Sequence, residues 1–167
     1  SCLVGSEMCI RDRNTPLNNW GSQTGNVNSF FGLFANNTDF NQDISGWDIS
    51  GTYNTGNGPY GVLDMFSGAS SFDQDLSSWD MQATSCIARF MGNGLSFDPE
   101  ISPAKYDNML VAFGARIPYT NAKNSSWCGS QVWSFGISKY NLSNSAAVAG
   151  RNALISDMGG IVDGGGI

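Results

Sequence analysis

The chain has 167 residues, of which 13% are charged and 12% aromatic, with a formal net charge of −6 and no histidine. This length suits one domain, and the sparse charge with many aromatic residues favours a packed, turn-rich protein over a disordered one. Because histidine is the commonest general base and metal ligand, its absence excludes a Ser-His-Asp or Cys-His triad.

The first thirteen residues look unlike a natural N-terminus. They do not begin with Met and do not share the pattern that fills the following residues. Residues 1–13 resemble translated sequencing-adapter sequence, so we interpret them as a non-native leader and exclude them from the fold. A genuine N-terminal strand is the alternative. This leader holds two of the four cysteines, Cys2 and Cys9.

A motif recurs in residues 14–100, which we interpret as about three repeats. In Phe34–Asp48 and Phe66–Asp80, an aromatic residue is followed six positions later by Phe, then by Ile or Leu, then by Trp-Asp. Met91–Ile101 is a degenerate third copy. The second and third copies are 25 residues apart and the first two 32 apart, so a seven-residue insertion lies in 51–60. A repeated motif of this kind predicts a stacked repeat protein.

Each repeat predicts a short extended segment and a short helix. Ile44–Ile49 and Leu76–Met81 have the character of extended segments, whereas Val62–Phe66 and Ile87–Met91 have apolar residues at helical spacing. The predicted fold class is α/β: a short leucine-rich-repeat-like solenoid with one short strand and one short helix per coil of about 25 residues.

Repeated aromatic residues are expected to form a ladder that fills the core of this solenoid. A position repeated in every coil usually belongs to the core, although Trp47 and Trp79 could instead form a platform on which a sugar stacks. The expected ladder residues are Phe40, Trp47, Phe66, Phe72, Trp79 and Phe97.

Residues 101–167 are expected to form an α/β C-terminal cap, because the end of a solenoid exposes the edge of its core. Ser102 followed by Pro103 predicts the start of one helix. Residues 127–135 predict a strand, and Ser143 or Ser145 is expected to cap a second helix that runs to about Met158.

The repeat motif resembles the BspA-like surface repeats, a divergent leucine-rich-repeat group that includes the mycoplasma DUF285 repeats. The pattern MF-x-x-A-x-x-F-N-Q-D-[IL]-S-x-W-D matches the chain nearly throughout from Met65, and residues 101–167 resemble the closing segment of these proteins. The resemblance implies a secreted or surface-exposed protein with a binding or adhesion role.

Aspartates repeat with the motif, as Asp43 and Asp48 in one repeat and Asp75 and Asp80 in the next. Paired carboxylates could serve a glycosidase, but catalysis needs two acids in different environments, and the repeat gives them similar ones. We expect Asp43 and Asp75 to accept turn amides, and Asp48 and Asp80 to cap the segments that follow. No cofactor is predicted, and these four aspartates together with Asp39 are the candidate ligands should calcium bind.

The charge and the remaining cysteines bear on partners and compartment. Residues 14–100 hold nine acids against one base, which disfavours nucleic acid as a partner, and no apolar run approaches the length of a membrane span.

Cys86 and Cys128 lack zinc-site spacing. They could form a disulfide in an exported protein or remain buried thiols.

The leading functional prediction is a non-enzymatic module, secreted or on a cell surface, that binds protein or glycan. Tyr53 and Tyr60 in the inserted segment are the predicted contact residues. One alternative is a structural spacer that self-associates through the ends of the solenoid, near Trp20 and Phe30. A carboxylate-dependent glycosidase is the remote alternative.

Overall fold

A computed structural model describes residues 17–52, 61–120 and 132–167. The repeats lie in residues 17–52 and 61–100, and the C-terminal segment begins at residue 101. Among these described residues, no helix is both long enough and apolar enough to cross a membrane.

The regular elements of the described residues are short in the repeats and longer in the C-terminal segment. The repeats carry the 3-10 helices Asn18–Asn26, Ser50–Thr52 and Met81–Ala83. The C-terminal segment carries helix α1 (Pro103–Gly114), strand β1 (Trp133–Ser134), helix α2 (Ser145–Met158) and strand β2 (Ile161–Val162). The two strands pair in parallel, with Trp133 opposite Ile161.

The ends of the two α-helices follow from local sequence. Pro103 occupies the first turn of α1, as predicted. Helix α2 is capped by Asn144, whose side chain accepts the Ala147 N–H at 3.2 Å, rather than by Ser143 or Ser145. Asn144 was missed because three neighbouring residues are all good N-caps. Gly159 ends α2 in a left-handed conformation with φ of 82°.

Main-chain hydrogen bonds from alternate residues join one repeat to the next. The Phe30 N–H donates to the carbonyl of Gly61 at 2.8 Å, and the Phe34 N–H donates to that of Met65 at 2.9 Å. The second repeat is joined to the third by bonds of the same kind, the first of them from the Val62 N–H. The repeats are therefore stacked side by side in register.

The predicted leucine-rich-repeat-like solenoid is nevertheless wrong. The described part of the repeats contains no strand. Val62–Phe66 is a run of turns rather than a short helix. In Ile87–Met91, Ala88 makes an isolated antiparallel β-bridge with Trp133, and turns follow rather than a helix. Asp64 has φ of 53° and Arg89 has φ of 47°, values that neither a strand nor a right-handed helix accommodates. The strands that the structure does show form a two-stranded parallel sheet in the C-terminal segment.

Stacked aromatic rings fill the space between the repeats. Phe34 lies over Phe66 with 5.6 Å between ring centroids, and Phe40 lies over Phe72 at 5.7 Å. Within the second repeat Phe66 and Phe72 stack at 4.0 Å. All of these rings are buried, so the core runs continuously through the first two repeats.

Helix α1 covers the C-terminal side of the second repeat. Asn108 donates to Asp75 at 2.9 Å, and the Arg116 guanidinium donates to the carbonyl of Trp79 at 2.7 Å. Helix α2 crosses α1 at close range. If Gly114 carried a Cβ atom, that atom would lie only 2.4 Å from the Cα of Gly150. The cap thus closes this end of the stack with two helices.

Candidate functional site

Two of the repeated aspartates hold tight turns. The Oδ1 atom of Asp43 accepts the Ser45 N–H at 2.9 Å, and that of Asp75 accepts the Ser77 N–H at 2.9 Å. The expected role of Asp43 and Asp75 as acceptors for turn amides is confirmed. The hydrogen bond from the Ser45 main chain holds the pKa of Asp43 below its ordinary value, so this carboxylate stays ionised.

The other two repeated aspartates begin 3-10 helices. Asp48 accepts the Ser50 N–H at 2.9 Å at the start of Ser50–Thr52, and Asp80 accepts the Gln82 N–H at 3.1 Å at the start of Met81–Ala83. Their expected capping role is confirmed. The hydrogen bond from the Ser50 main chain lowers the pKa of Asp48.

These aspartates are not brought together as a calcium site. Within the described ranges, no group of three or more His, Cys, Asp or Glu side chains is placed to hold a metal ion. The candidates were Asp39, Asp43, Asp48, Asp75 and Asp80. Four of them instead accept main-chain N–H groups close to themselves in sequence, and Asp39 lies exposed.

The repeated tryptophans are core residues that bridge repeats. The Trp47 indole N–H donates to the carbonyl of Leu17, and the Trp79 indole N–H donates to the carbonyl of Ile44, both at 3.1 Å. Both rings are buried, so a sugar-stacking role for Trp47 and Trp79 is wrong. Each indole instead fixes its repeat to the preceding one.

The turn that ends at each repeated tryptophan has a further copy, from Leu17 to Trp20, which sequence reasoning missed. The main-chain N–H of Trp20 donates to the carbonyl of Leu17 at 3.1 Å, as Trp47 does to Ile44 at 3.0 Å. The signal was the shared spacing, an aliphatic residue three positions before Trp. It was overlooked because Trp20 is followed by Gly rather than Asp.

Comparison with protein families gives one match, which covers residues 12–127 and is described as "Mycoplasma protein of unknown function, DUF285". The match spans more than half of the chain. The chain belongs to this family. Comparison with curated proteins and with solved structures gave no significant match. The DUF285 match includes the repeats and α1 and ends before β1, α2 and β2.

The third DUF285 repeat departs from the first two at Phe97. Phe97 is 51% exposed, so its assignment to the aromatic ladder is wrong, whereas the other five predicted ladder residues are buried. The cause is Asp98, whose carboxylate accepts the N–H groups of Asn93 at 2.8 Å and Leu95 at 2.9 Å. This buried carboxylate folds residues 92–98 into a compact loop that presents Phe97 to solvent.

The predicted contact residues Tyr53 and Tyr60 lie outside the described residues. The residues that flank them, Thr52 and Gly61, are both buried. Thr52 accepts a hydrogen bond from the Ser85 hydroxyl at 3.2 Å. The base of the inserted segment is therefore packed against the third repeat.

A joint of polar side chains connects the second repeat to α1. The Asp73 carboxylate accepts the Ser102 N–H at 2.8 Å and the Lys105 ammonium at 2.9 Å. Burial acts to raise the pKa of Asp73, but the hydrogen bonds from Ser102 and Lys105 outweigh burial and leave that pKa below its ordinary value. The ion pair between Asp73 and Lys105 therefore ties the second repeat to the first turn of α1.

A partly buried ion pair, which lies beyond the DUF285 match, holds the end of the chain against both helices. The Arg151 guanidinium donates to Asp163 at 2.7 and 3.0 Å, and the Tyr106 hydroxyl donates to the same carboxylate at 2.7 Å. Burial, and then the adjacent Asp163 carboxylate, raise the pKa of Tyr106 well above its ordinary value. This clamp (Tyr106, Arg151 and Asp163) was not predicted from the sequence.

Cys86 is disulfide-bonded. Its partner lies outside the described residues, where the other cysteines Cys2, Cys9 and Cys128 fall. Cys86 is fully buried at the base of the third repeat, where its carbonyl accepts the Val62 N–H at 3.0 Å. Of the two roles left open for this cysteine, the structure shows the disulfide rather than the buried thiol.

Proposed function

We propose that this DUF285 protein is an exported, non-enzymatic module, secreted or displayed on a cell surface, that binds protein or glycan on another surface. The observation that carries the proposal is the disulfide at Cys86. Disulfides form and persist in oxidising compartments and are rare in the cytosol. The resemblance of the repeats to BspA-like surface proteins supports the same conclusion.

The environment of the repeated carboxylates supports a binding role over catalysis. A glycosidase needs one carboxyl with a raised pKa and one that stays ionised. Asp43 and Asp48 both have a lowered pKa from main-chain hydrogen bonds, and equivalent bonds hold Asp75 and Asp80. A carboxylate-dependent glycosidase is therefore a remote alternative, and the acidity of the repeats argues against a nucleic-acid partner.

A structural spacer is the second candidate function, since stacked repeats are suited to forming part of a longer array. An array that grows through both ends needs both ends open. Helix α1 covers the second repeat from Asp75 to Trp79, and helix α2 packs on α1 through Gly114 and Gly150. This capped end favours the binding module over the end-to-end spacer.

Replacing Tyr53 and Tyr60 together with Ser is expected to weaken binding to the ligand by about tenfold or more, because tyrosines dominate many contact surfaces. The melting temperature should stay within a few degrees, since these side chains are predicted to contact the ligand rather than the core. The measurement is binding of the whole chain to arrays of mammalian glycans and of extracellular-matrix proteins, followed by titration of each hit.

Phe97→Ser is the matched control, because it removes an exposed aromatic side chain outside the inserted segment. Its affinity for each hit should equal that of the wild type. If the double tyrosine variant also binds like the wild type, the inserted segment is not the binding surface. If neither array yields a hit, the binding function itself is refuted for these ligand classes.

A further inference from the structure

The loop 92–98, which turns Phe97 outward, contains the dipeptide Asn93-Gly94. The Asn93 side chain is exposed. An asparagine followed by glycine is a reactive pair, because the main-chain nitrogen of the second residue can attack the side-chain amide of the first. Glycine has no Cβ atom to obstruct that approach. The arrangement of hydrogen bonds around this pair decides whether the folded loop leaves it free to react.

The Asp98 carboxylate binds the main-chain N–H groups on either side of Gly94. A single oxygen, Oδ2, accepts the Asn93 N–H at 2.8 Å and the Leu95 N–H at 2.9 Å. The other oxygen accepts the Gly68 N–H at 3.0 Å, which anchors the loop to the second repeat. Among the described residues, none accepts a hydrogen bond from the Gly94 N–H. Attack by this nitrogen therefore requires no hydrogen bond of its own to break first.

The fold itself requires glycine at this position. Gly94 has φ of 78°, in the left-handed region that glycine adopts most readily. A Cβ atom on Gly94 would also lie 2.9 Å from the Cγ1 atom of Val162. The loop thus retains the residue that makes the preceding asparagine reactive.

We propose that Asn93 is a site of spontaneous deamidation, and that its isoaspartyl product opens the loop 92–98. The Gly94 nitrogen loses its proton to water or hydroxide and attacks Cγ of Asn93. The new N–Cγ bond closes a succinimide ring, while the Cγ–Nδ2 bond breaks and ammonia leaves with a proton returned by water. Water then opens the ring. Attack at Cγ gives aspartate, and attack at the main-chain carbonyl carbon gives isoaspartate.

The two products affect the loop differently. Aspartate keeps the length of the main chain and places its charge in solvent, where salt screens it. Isoaspartate inserts a methylene group into the main chain between the N–H groups of residue 93 and Leu95. Those two groups then no longer converge on one oxygen of Asp98. Because Asp98 is 2% exposed, a lost donor leaves a buried carboxylate without its hydrogen bond, which destabilises the loop.

The test is ageing of the purified whole chain in a mildly alkaline buffer, followed by digestion and mass spectrometry with enzymatic labelling of isoaspartate. Peptide mapping separates residue 93 from Asn57, which is also followed by glycine. We expect isoaspartate and aspartate at residue 93, and less of either at Asn28, which is exposed but precedes Ser29. Asn93→Gln should abolish the reaction at this position. A folded chain that keeps Asn93 intact, while the same chain loses it in denaturant, would overturn the inference.

Asn93→Asp tests the effect on the loop separately, because it adds the charge without the methylene group. Its melting temperature should equal that of the wild type. The aged wild type should melt at a lower temperature, in proportion to its isoaspartate at residue 93, and its Leu95 amide should lose protection from hydrogen exchange. Aged Asn93→Gln should do neither. An aged wild type that matched Asn93→Asp in both measurements would contradict opening of the loop.

Discussion

Replacing Phe66 with Ala is expected to lower the free energy of unfolding by about 3–5 kcal/mol. Phe66 contacts rings in three directions: Phe34 at 5.6 Å, Phe72 at 4.0 Å and the edge of Phe90 at 5.3 Å. Its removal leaves a cavity that the neighbouring repeats cannot close, because their spacing is fixed by main-chain hydrogen bonds. Denaturant unfolding followed by tryptophan fluorescence measures the loss.

Phe97→Ala is the control for this prediction, since it removes the same side chain from an exposed position. We expect a change within about 0.5 kcal/mol for this variant. Equal losses in the two variants would contradict the assignment of Phe66 to the core and of Phe97 to the surface.

The second large effect is expected at the clamp. Arg151→Met should destabilise the protein by about 3–5 kcal/mol, because it leaves the Asp163 carboxylate buried without its cation. The Asp163 side chain is 3% exposed and that of Arg151 is 19% exposed. Thermal and denaturant unfolding measure the effect, and the double variant with Asp163→Asn should be less destabilised than Arg151→Met alone.

Arg89→Met provides the matched comparison for the clamp. Arg89 pairs with Asp64 at the surface, where its side chain is 50% exposed. Exposed ion pairs contribute about 0–1 kcal/mol, so this variant should be close to the wild type. If Arg151→Met cost no more than Arg89→Met, the clamp would not stabilise the end of the chain.

The roles of the motif residues could be predicted because the motif repeats them. Asp43 and Asp75 occupy equivalent positions and make the same turn bond, and Trp47 and Trp79 do the same in the core. A residue that recurs once in each repeat has one structural explanation. That reasoning needs no knowledge of the path of the chain between the repeats.

The path itself could not be predicted, for physical reasons that particular residues show. Asp64 and Arg89 adopt left-handed conformations without being Gly, so composition gave no sign that the expected helices would be turns. Phe97 keeps the motif spacing, but the adjacent Asp98 carboxylate organises a loop that turns Phe97 outward. The spacing of the motif alone does not show whether Phe97 packs in the core or is turned outward by the loop that Asp98 organises.

Contacts between distant residues were equally hidden from the sequence. Tyr106 and Asp163 are 57 residues apart, and no local pattern links them. The clamp depends on the crossing of α1 and α2, which follows from the close approach of Gly114 and Gly150. A helix crossing of this kind is a property of the folded chain rather than of either helix.

The central claim, that this is an exported protein with an oxidised Cys86, is tested most directly by disulfide mapping. The chain would be expressed with export to an oxidising compartment, alkylated without reduction, digested and examined by mass spectrometry. We expect Cys86 in a disulfide-linked peptide with Cys128, since Cys2 and Cys9 fall in the leader interpreted as non-native. Recovery of Cys86 as an alkylated free thiol would contradict both the disulfide and the argument for export.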